Sequence, residues 1–345
     1  MSSLAARGDA DELSRYRRLV TATIVATFIL IAIGGIVRVS DSGLGCGPAG
    51  SGTHGWPLCE GGVVPQATSE SIIEFSHRIA AGVVLVLIAL VAWRAIRHLR
   101  AHRAIVRGSV AAAIFVLAQA GLGGLTVEQG LEEELVAAHL GLAMAFLGLM
   151  ILLRRASEPE DESAARPSDD MRGLRATTAV AAVAVLATIV AGGYVAGTER
   201  EGTPGAPLAG QAHVACGTGF SADNFPACNG QFFGFGQSRL ADIQLAHRAL
   251  MYLAAVAVVA MVALAVRRRA PSRAFLVAGA ILVFQIALGA INVWAGKHAG
   301  LIIGHLALGT ALWSTVVYAG ATLLPVSVPT PARVGRREAA GAAAA

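Results

Sequence analysis

Charge is what this sequence has least of. Asp, Glu, Lys and Arg make up 14% of its 345 residues, where a soluble globular chain carries roughly 25%, so a water-soluble fold of this length is excluded. Lysine is almost missing: of 27 basic residues only Lys297 is not an arginine. No proline interrupts the long apolar runs, which argues against a transporter built on broken helices. Cysteine is confined to four positions, none inside an apolar run. No cleavable leader is visible: the N-terminus is polar and basic and the first apolar run is full length, as expected of an uncleaved signal anchor.

What is present in abundance is apolar sequence, 55% of the chain. It falls into eight runs, at about 19–39, 72–96, 107–127, 135–153, 174–197, 241–266, 273–294 and 299–323. Runs of about 20 apolar residues cross a bilayer as helices, because backbone in hydrocarbon must satisfy its own hydrogen bonds. The expected fold is an all-α membrane protein with eight transmembrane helices. Of the 26 arginines, 21 fall in the N-terminal segment, the even-numbered connections and the C-terminal segment. That bias puts both termini in the cytoplasm. It accounts for the net charge of +5 and gives no reason to expect nucleic acid. The expected organisation is a cytoplasmic tail over 1–18, a first four-helix half over 19–155, a mobile Glu/Asp/Ser/Pro-rich linker over 156–173, a second half over 174–323 and a disordered tail over 324–345.

The halves are related by an internal repeat. "AHLGLAMAFLGL" around His139 echoes "GHLALGTALW" around His305, and "AQAGLGGLTV" echoes "FQIALGAINV". Gln119 and Gln285 each precede their histidine by 20 residues. Gly34–Gly35 stand opposite Gly192–Gly193. Four helices per half is an even number, so the halves share one orientation about a pseudo-twofold axis along the membrane normal. The cysteines follow the repeat. Cys46 and Cys59, then Cys216 and Cys228, lie 13 and 12 residues apart in the two long outer loops, where disulfides persist. The expected bonds are Cys46–Cys59 and Cys216–Cys228.

Nine histidines occur. His98 and His102 sit among cytoplasmic arginines, and His54, His213 and His298 belong to outer loops or a helix start. The remaining four, His77, His139, His247 and His305, each enter an even-numbered span near its outer end. A single intramembrane histidine is more often a hydrogen-bonding residue between helices than a ligand. Four at matching depth in two repeats point instead to two bis-histidine haem sites, His77 with His139 and His247 with His305. Two histidines without cysteine or a third ligand make a poor zinc set. Arg38, Arg78 and Arg248 lie near the same outer level, where a guanidinium fork suits haem propionates; snorkelling to lipid headgroups is the alternative. The glutamines read as interhelical hydrogen-bonding residues, and Gly34–Gly35 and Gly121–Gly124 as close-packing positions.

One acid breaks the repeat. Glu74 lies three residues before His77, on nearly the same helix face, whereas the counterpart before His247 is Gln244. An amide cannot exchange a proton, so the two sites are expected to differ in task. Glu74 is the candidate catalytic residue, against the simpler reading of a carboxylate in water at the membrane edge.

The ordered set "GGIVRVSDSGLGC", "GWPLC", "EFSHR", "AHL", "LAHR" and "GHL" resembles the heme A synthase family over about 19–323. That resemblance implies oxidation of the C8 methyl of haem O to the formyl group of haem A for terminal oxidases. It implies a substrate haem at His77 and His139 with Glu74 catalytic, and a haem b cofactor at His247 and His305. It also implies two hydroxylations of the methyl, with the resulting geminal diol losing water. The family often carries a short Cys–Pro–x–Trp–Pro run, whereas here "GPAGSGTH" follows Cys46; the longer loop is expected to serve as a lid or a docking surface. Two histidine ligands leave iron no open position, so either one of them dissociates in turnover or oxygen never binds iron directly; both routes stay open. The competing expectation is a diheme cytochrome b that only carries electrons. Expected partners are haem O, the lipid bilayer, heme O synthase, terminal-oxidase assembly factors, an electron donor and a second copy of the chain. The Arg-over-Lys bias with abundant Ala and Gly suggests a GC-rich bacterial genome, and hence the plasma membrane.

Overall fold

The computed structural model describes residues 2–158, 171–198, 211–270, 272–296 and 298–324, with side chains from Gly8 onward. The greater part of the expected linker, the expected tail beyond Leu324, and Lys297 lie outside them. Eight long helices organise the described residues: α1 (Ser2–Val39), α2 (Ser69–His98), α3 (Arg103–Glu128), α4 (Glu133–Ala156), α5 (Arg172–Gly197), α6 (Arg239–Arg267), α7 (Ala274–Ala295) and α8 (Ala299–Thr322). All eight are long and apolar enough to cross a membrane, as the eight runs require. Their starts repeat as well. Thr68 and Ser238 cap α2 and α6, their side chains accepting from the N–H groups of Ser71 and Ala241, which satisfies donors that a helix start leaves open.

Helix neighbours define two four-membered rings. In the first, α1 touches α2, α2 touches α3, α3 touches α4 and α4 returns to α1; in the second, α5 to α8 do the same. Thus α2 and α4 stand diagonally across one ring, and α6 and α8 across the other. The rings join through α1, α4, α5 and α8, with contacts of α1 on α8, α4 on α5 and α4 on α8. Exchanging each helix with its counterpart four places on maps this pattern onto itself, as a twofold relation demands. At the α4–α8 seam, the Trp313 indole N–H donates to the Met144 carbonyl at 2.8 Å, and Gly148 makes room for the indole, a Cβ there lying 3.1 Å from Cζ2.

Burial separates a lipid-type surface from two cores. Val83, Val86, Val256, Val259, Val283 and Phe284 are exposed on helix faces, an arrangement tolerable in hydrocarbon and costly in water. One core lies among α4 to α8 with Ile31 of α1, the other among α1 to α4. The second core also takes in the N-terminal segment. Helix α1 extends back to Ser2, and Leu13, Tyr16 and Val20, spaced three and four apart, form one buried stripe. The Tyr16 hydroxyl bonds Ser109 at 2.8 Å, Arg17 donates to the Ser157 carbonyl at 2.9 Å and Arg94 meets Glu12 at 3.2 Å. Apolar packing and three polar ties therefore hold the polar N-terminal segment against the arginine-rich ends of α2, α3 and α4.

Candidate functional site

Each of the four intramembrane histidines rests on a glycine of the preceding helix. A Cβ at Gly34 of α1 would lie 3.2 Å from Cε1 of His77, at Gly123 of α3 3.0 Å from that of His139, at Gly192 of α5 3.1 Å from that of His247, and at Gly289 of α7 3.0 Å from that of His305. Contacts below about 3.4 Å are tight, so only glycine lets the imidazoles lie where they do. All four side chains are partly buried. His77 and His139 stand on the diagonal helices α2 and α4 of the first ring, and His247 and His305 on the diagonal helices α6 and α8 of the second.

Polar neighbours set the rings further. His247 Nδ1 lies 3.0 Å from the Thr188 carbonyl. A carbonyl only accepts, so this nitrogen carries the proton and Nε2 keeps its lone pair. Gln119 donates Nε2 to the His139 carbonyl at 2.9 Å and stands 3.2 Å from its Nδ1. Gln285 does the same to the His305 carbonyl at 3.1 Å and stands 3.2 Å from its Nε2. The glutamines do join helices, as expected, but what they join is the histidine turn itself. Among the described residues, His77 Nδ1 and His305 Nδ1 are buried without a partner. His213, expected to serve its loop, lies in the short helical turn Ala212–Val214 that packs on α5 and α6. His98 is exposed and His102 pairs with Asp9 at 3.1 Å.

Both loops that carry the cysteines close in the same way. Cys46 bonds Cys59 and Cys216 bonds Cys228. Arg78 donates Nη1 to the carbonyls of Gly55 and Leu58 at 2.7 and 2.8 Å. Arg248, one repeat on, donates Nη1 to the carbonyls of Asn224 at 2.8 Å and Ala227. The loops then anchor on the ends of the third helix of each half. Gly50 and Gly52 donate to the Glu128 carbonyl and carboxylate, both at 3.0 Å, and Gly219 donates to the Trp294 carbonyl at 2.9 Å. The "GPAGSGTH" insert thus lies strapped to α3, and Trp56 packs on Gly124, a Cβ there falling 2.8 Å from the indole.

Glu74 is 3% exposed and sits beneath the first loop. One oxygen accepts the Cys46 N–H at 2.7 Å, and the other forms an ion pair with Nη2 of Arg78. This differs from a carboxylate in water at the membrane edge. It also engages Arg78 on both sides, with loop carbonyls and with an acid. Arg38 crosses between halves, its Nε donating to the Ala196 carbonyl at the end of α5 at 2.9 Å. Glu133 at the start of α4 pairs with Arg239 at the start of α6, a second tie between halves on the same side.

A family model described as cytochrome oxidase assembly protein, COX15-CtaA, matches residues 17–317. The chain belongs to the COX15-CtaA family. The matched span takes in all four histidines, both disulfides and Glu74. Among curated relatives, the heme A synthase of Shouchella clausii is 28% identical over 315 residues, covering 88% of this chain and 95% of that one. That of Halalkalibacterium halodurans is 27% identical over 306 residues, covering 86% and 93%. That of Alkalihalophilus pseudofirmus is 32% identical over 216 residues, 61% of this chain and 63% of that protein. Family membership agrees with the eight apolar helices and the multi-pass membrane character. The loop ties of Arg78, its ion pair with Glu74 and the contacts of Gly289, Gln119 and Gln285 with the histidine turns are features that the sequence alone did not reveal; the spacing of four between Glu74 and Arg78 was the available signal for the ion pair.

Proposed function

We propose that the protein is a heme A synthase of the plasma membrane, oxidising the C8 methyl of haem O to the formyl group of haem A, with both termini cytoplasmic. The observation that carries this reading is the fourfold histidine–glycine contact, one per even-numbered helix. It presents two imidazoles from diagonal helices inside each ring, the donor set that axial ligation of a macrocycle needs. The residues fit a haem in each half: the partnerless, buried Nδ1 atoms of His77 and His305 mark nitrogens the protein itself leaves unused, and small residues flank all four rings. Among the described residues no three His, Cys, Asp or Glu side chains converge.

The first half is the substrate site, with His77 and His139 holding haem O, and the second is the cofactor site, with His247 and His305 holding haem b. Haem b, when bound, supplies one-electron storage and transfer. The chain's own residues do the rest. Thr188 fixes the tautomer of His247, leaving Nε2 to ligate. Gln119 and Gln285 hold the turns that carry His139 and His305. Glu74 is the acid nearest His77 along α2, shielded from bulk water by the disulfide loop and able to hold or pass a proton there. Because its oxygens also grip Cys46 and Arg78, a proton taken up by Glu74 loosens the loop that covers this half. Heme O synthase, terminal-oxidase assembly factors and an electron donor are the partners this role requires.

The test is haem extraction from cells making the protein with haem O as the supplied substrate. Glu74→Gln is expected to keep both haem spectra and stop haem A formation, and His77→Ala to stop it together with loss of one haem per chain. Unchanged haem A in either variant would sink the assignment of the first half. A protein that binds two haems b and never converts haem O would be a diheme electron carrier instead.

A further inference from the structure

The two halves treat one arginine differently. Arg78 and Arg248 occupy equivalent places, and each spends Nη1 on two equivalent loop carbonyls. In the first half Nη2 then meets Glu74, so the buried charge is neutralised. In the second half the residue four positions back is Gln244, and the bond is not made. Among the described residues, Nε and Nη2 of Arg248 are buried without a partner, and so is Oε1 of Gln244. Arg248 is 3% exposed, so water does not replace the missing acid, and the Phe225 ring 5.5 Å from its Cζ carries only a partial negative face. A buried guanidinium with two idle nitrogens is costly unless an anion joins it. A planar carboxylate is the anion that takes two donors side by side.

We infer that Arg248 is a carboxylate-holding site for the ligand of the second half, and that the exchange of Glu74 for Gln244 decides which half keeps its tetrapyrrole and which lets it go. The inference rests on the functional reading above. Haem carries propionates; in the second half one of them completes Arg248, and the haem stays as a resident cofactor. In the first half Glu74 already occupies the guanidinium, so the ligand there is held by His77 and His139 without this grip. That suits a site whose occupant must arrive as substrate and leave as product.

The experiment measures haem dissociation from the full-length protein into excess apomyoglobin, in neutral-lipid nanodiscs. His77→Ala isolates the second site and His247→Ala the first. In the His77→Ala background, Gln244→Glu is expected to raise the dissociation rate about tenfold by sealing Arg248 from within. Arg248→Gln should act in the same direction, and Arg248→Lys, which keeps the charge and guards against misfolding, should lose less. In the His247→Ala background, Glu74→Gln frees Arg78 and is expected to slow dissociation by a similar factor. Haem dimethyl ester, which lacks free carboxylates, should respond to none of these changes. Haem rates that stay unchanged in both Gln244→Glu and Glu74→Gln would overturn the inference. So would an effect that appears only with phosphatidylglycerol present and equally with the ester, since a lipid phosphate would then be the occupant. A wild-type chain that binds no haem at all would overturn the functional reading first, and this inference with it.

Discussion

The geometry of the site is set by missing side chains as much as by present ones. With four imidazoles each lying on a glycine, one added methyl is enough to disturb a ring. Gly123→Ala and Gly289→Ala would put a Cβ about 3 Å from Cε1 of His139 and His305, and overpacking of that kind costs roughly 1–3 kcal/mol. The expected outcome is loss or altered spin state of the haem in the affected half only, read by electron paramagnetic resonance of the purified protein. Gly121→Ala is the control, since nothing lies within 4 Å of a Cβ there. The histidines themselves were legible in the sequence, because an ionisable residue inside an apolar run stands out in any half of a repeat. Their supports were not. Gly289 and the targets of Gln119 and Gln285 depend on which face of one helix meets which face of the next, and apolar periodicity does not carry that information. Arg78 illustrates the same limit: its sequence place suits a propionate, and its actual partners are two loop carbonyls and an acid one turn away.

At the level of elements, the eight helices were legible to within a few residues at most ends, since length and apolarity alone fix a bilayer span. The start of α1 was not, because Leu13 and Tyr16 are sparse among charges and show their stripe only once α3 and α4 are beside them. The disulfides also followed from spacing, but the likeness between the two loops did not, being written in hydrogen bonds rather than in residue identity. Those bonds give two expectations. Breaking Cys46–Cys59 with Cys46→Ser removes a constraint worth about 3 kcal/mol for a closed loop of this length. Faster amide exchange across residues 46–62 should follow, and weaker retention of Glu74's partner N–H. Glu128→Ala removes the acceptor for Gly52 while leaving the helix intact; limited proteolysis should then cut the first loop several-fold faster at residues 48–54, with the second loop unchanged as an internal reference.

Across the whole molecule, the described residues of the two halves meet along helices. Trp313 bonds Met144, Arg38 reaches the end of α5, and Glu133 pairs with Arg239. A chain split between residues 159 and 170 and co-expressed as two pieces is therefore expected to copurify, with both haems in place. Trp313→Ala should weaken that copurification, and recovery of each piece alone from the intact-sequence split would refute the expectation. The seam has a further property. Gly34 and Gly192 receive the histidine rings of their own halves, but the next residues look across: a Cβ on Gly35 would lie 2.7 Å from Leu306, and one on Gly193 3.1 Å from Leu140. Leu140 and Leu306 directly follow His139 and His305. Each double glycine therefore touches the histidine turns of both halves, one by its first member and one by its second. A polypeptide of half this length would carry both parts of that contact on its own surface and would find them complemented in an identical copy.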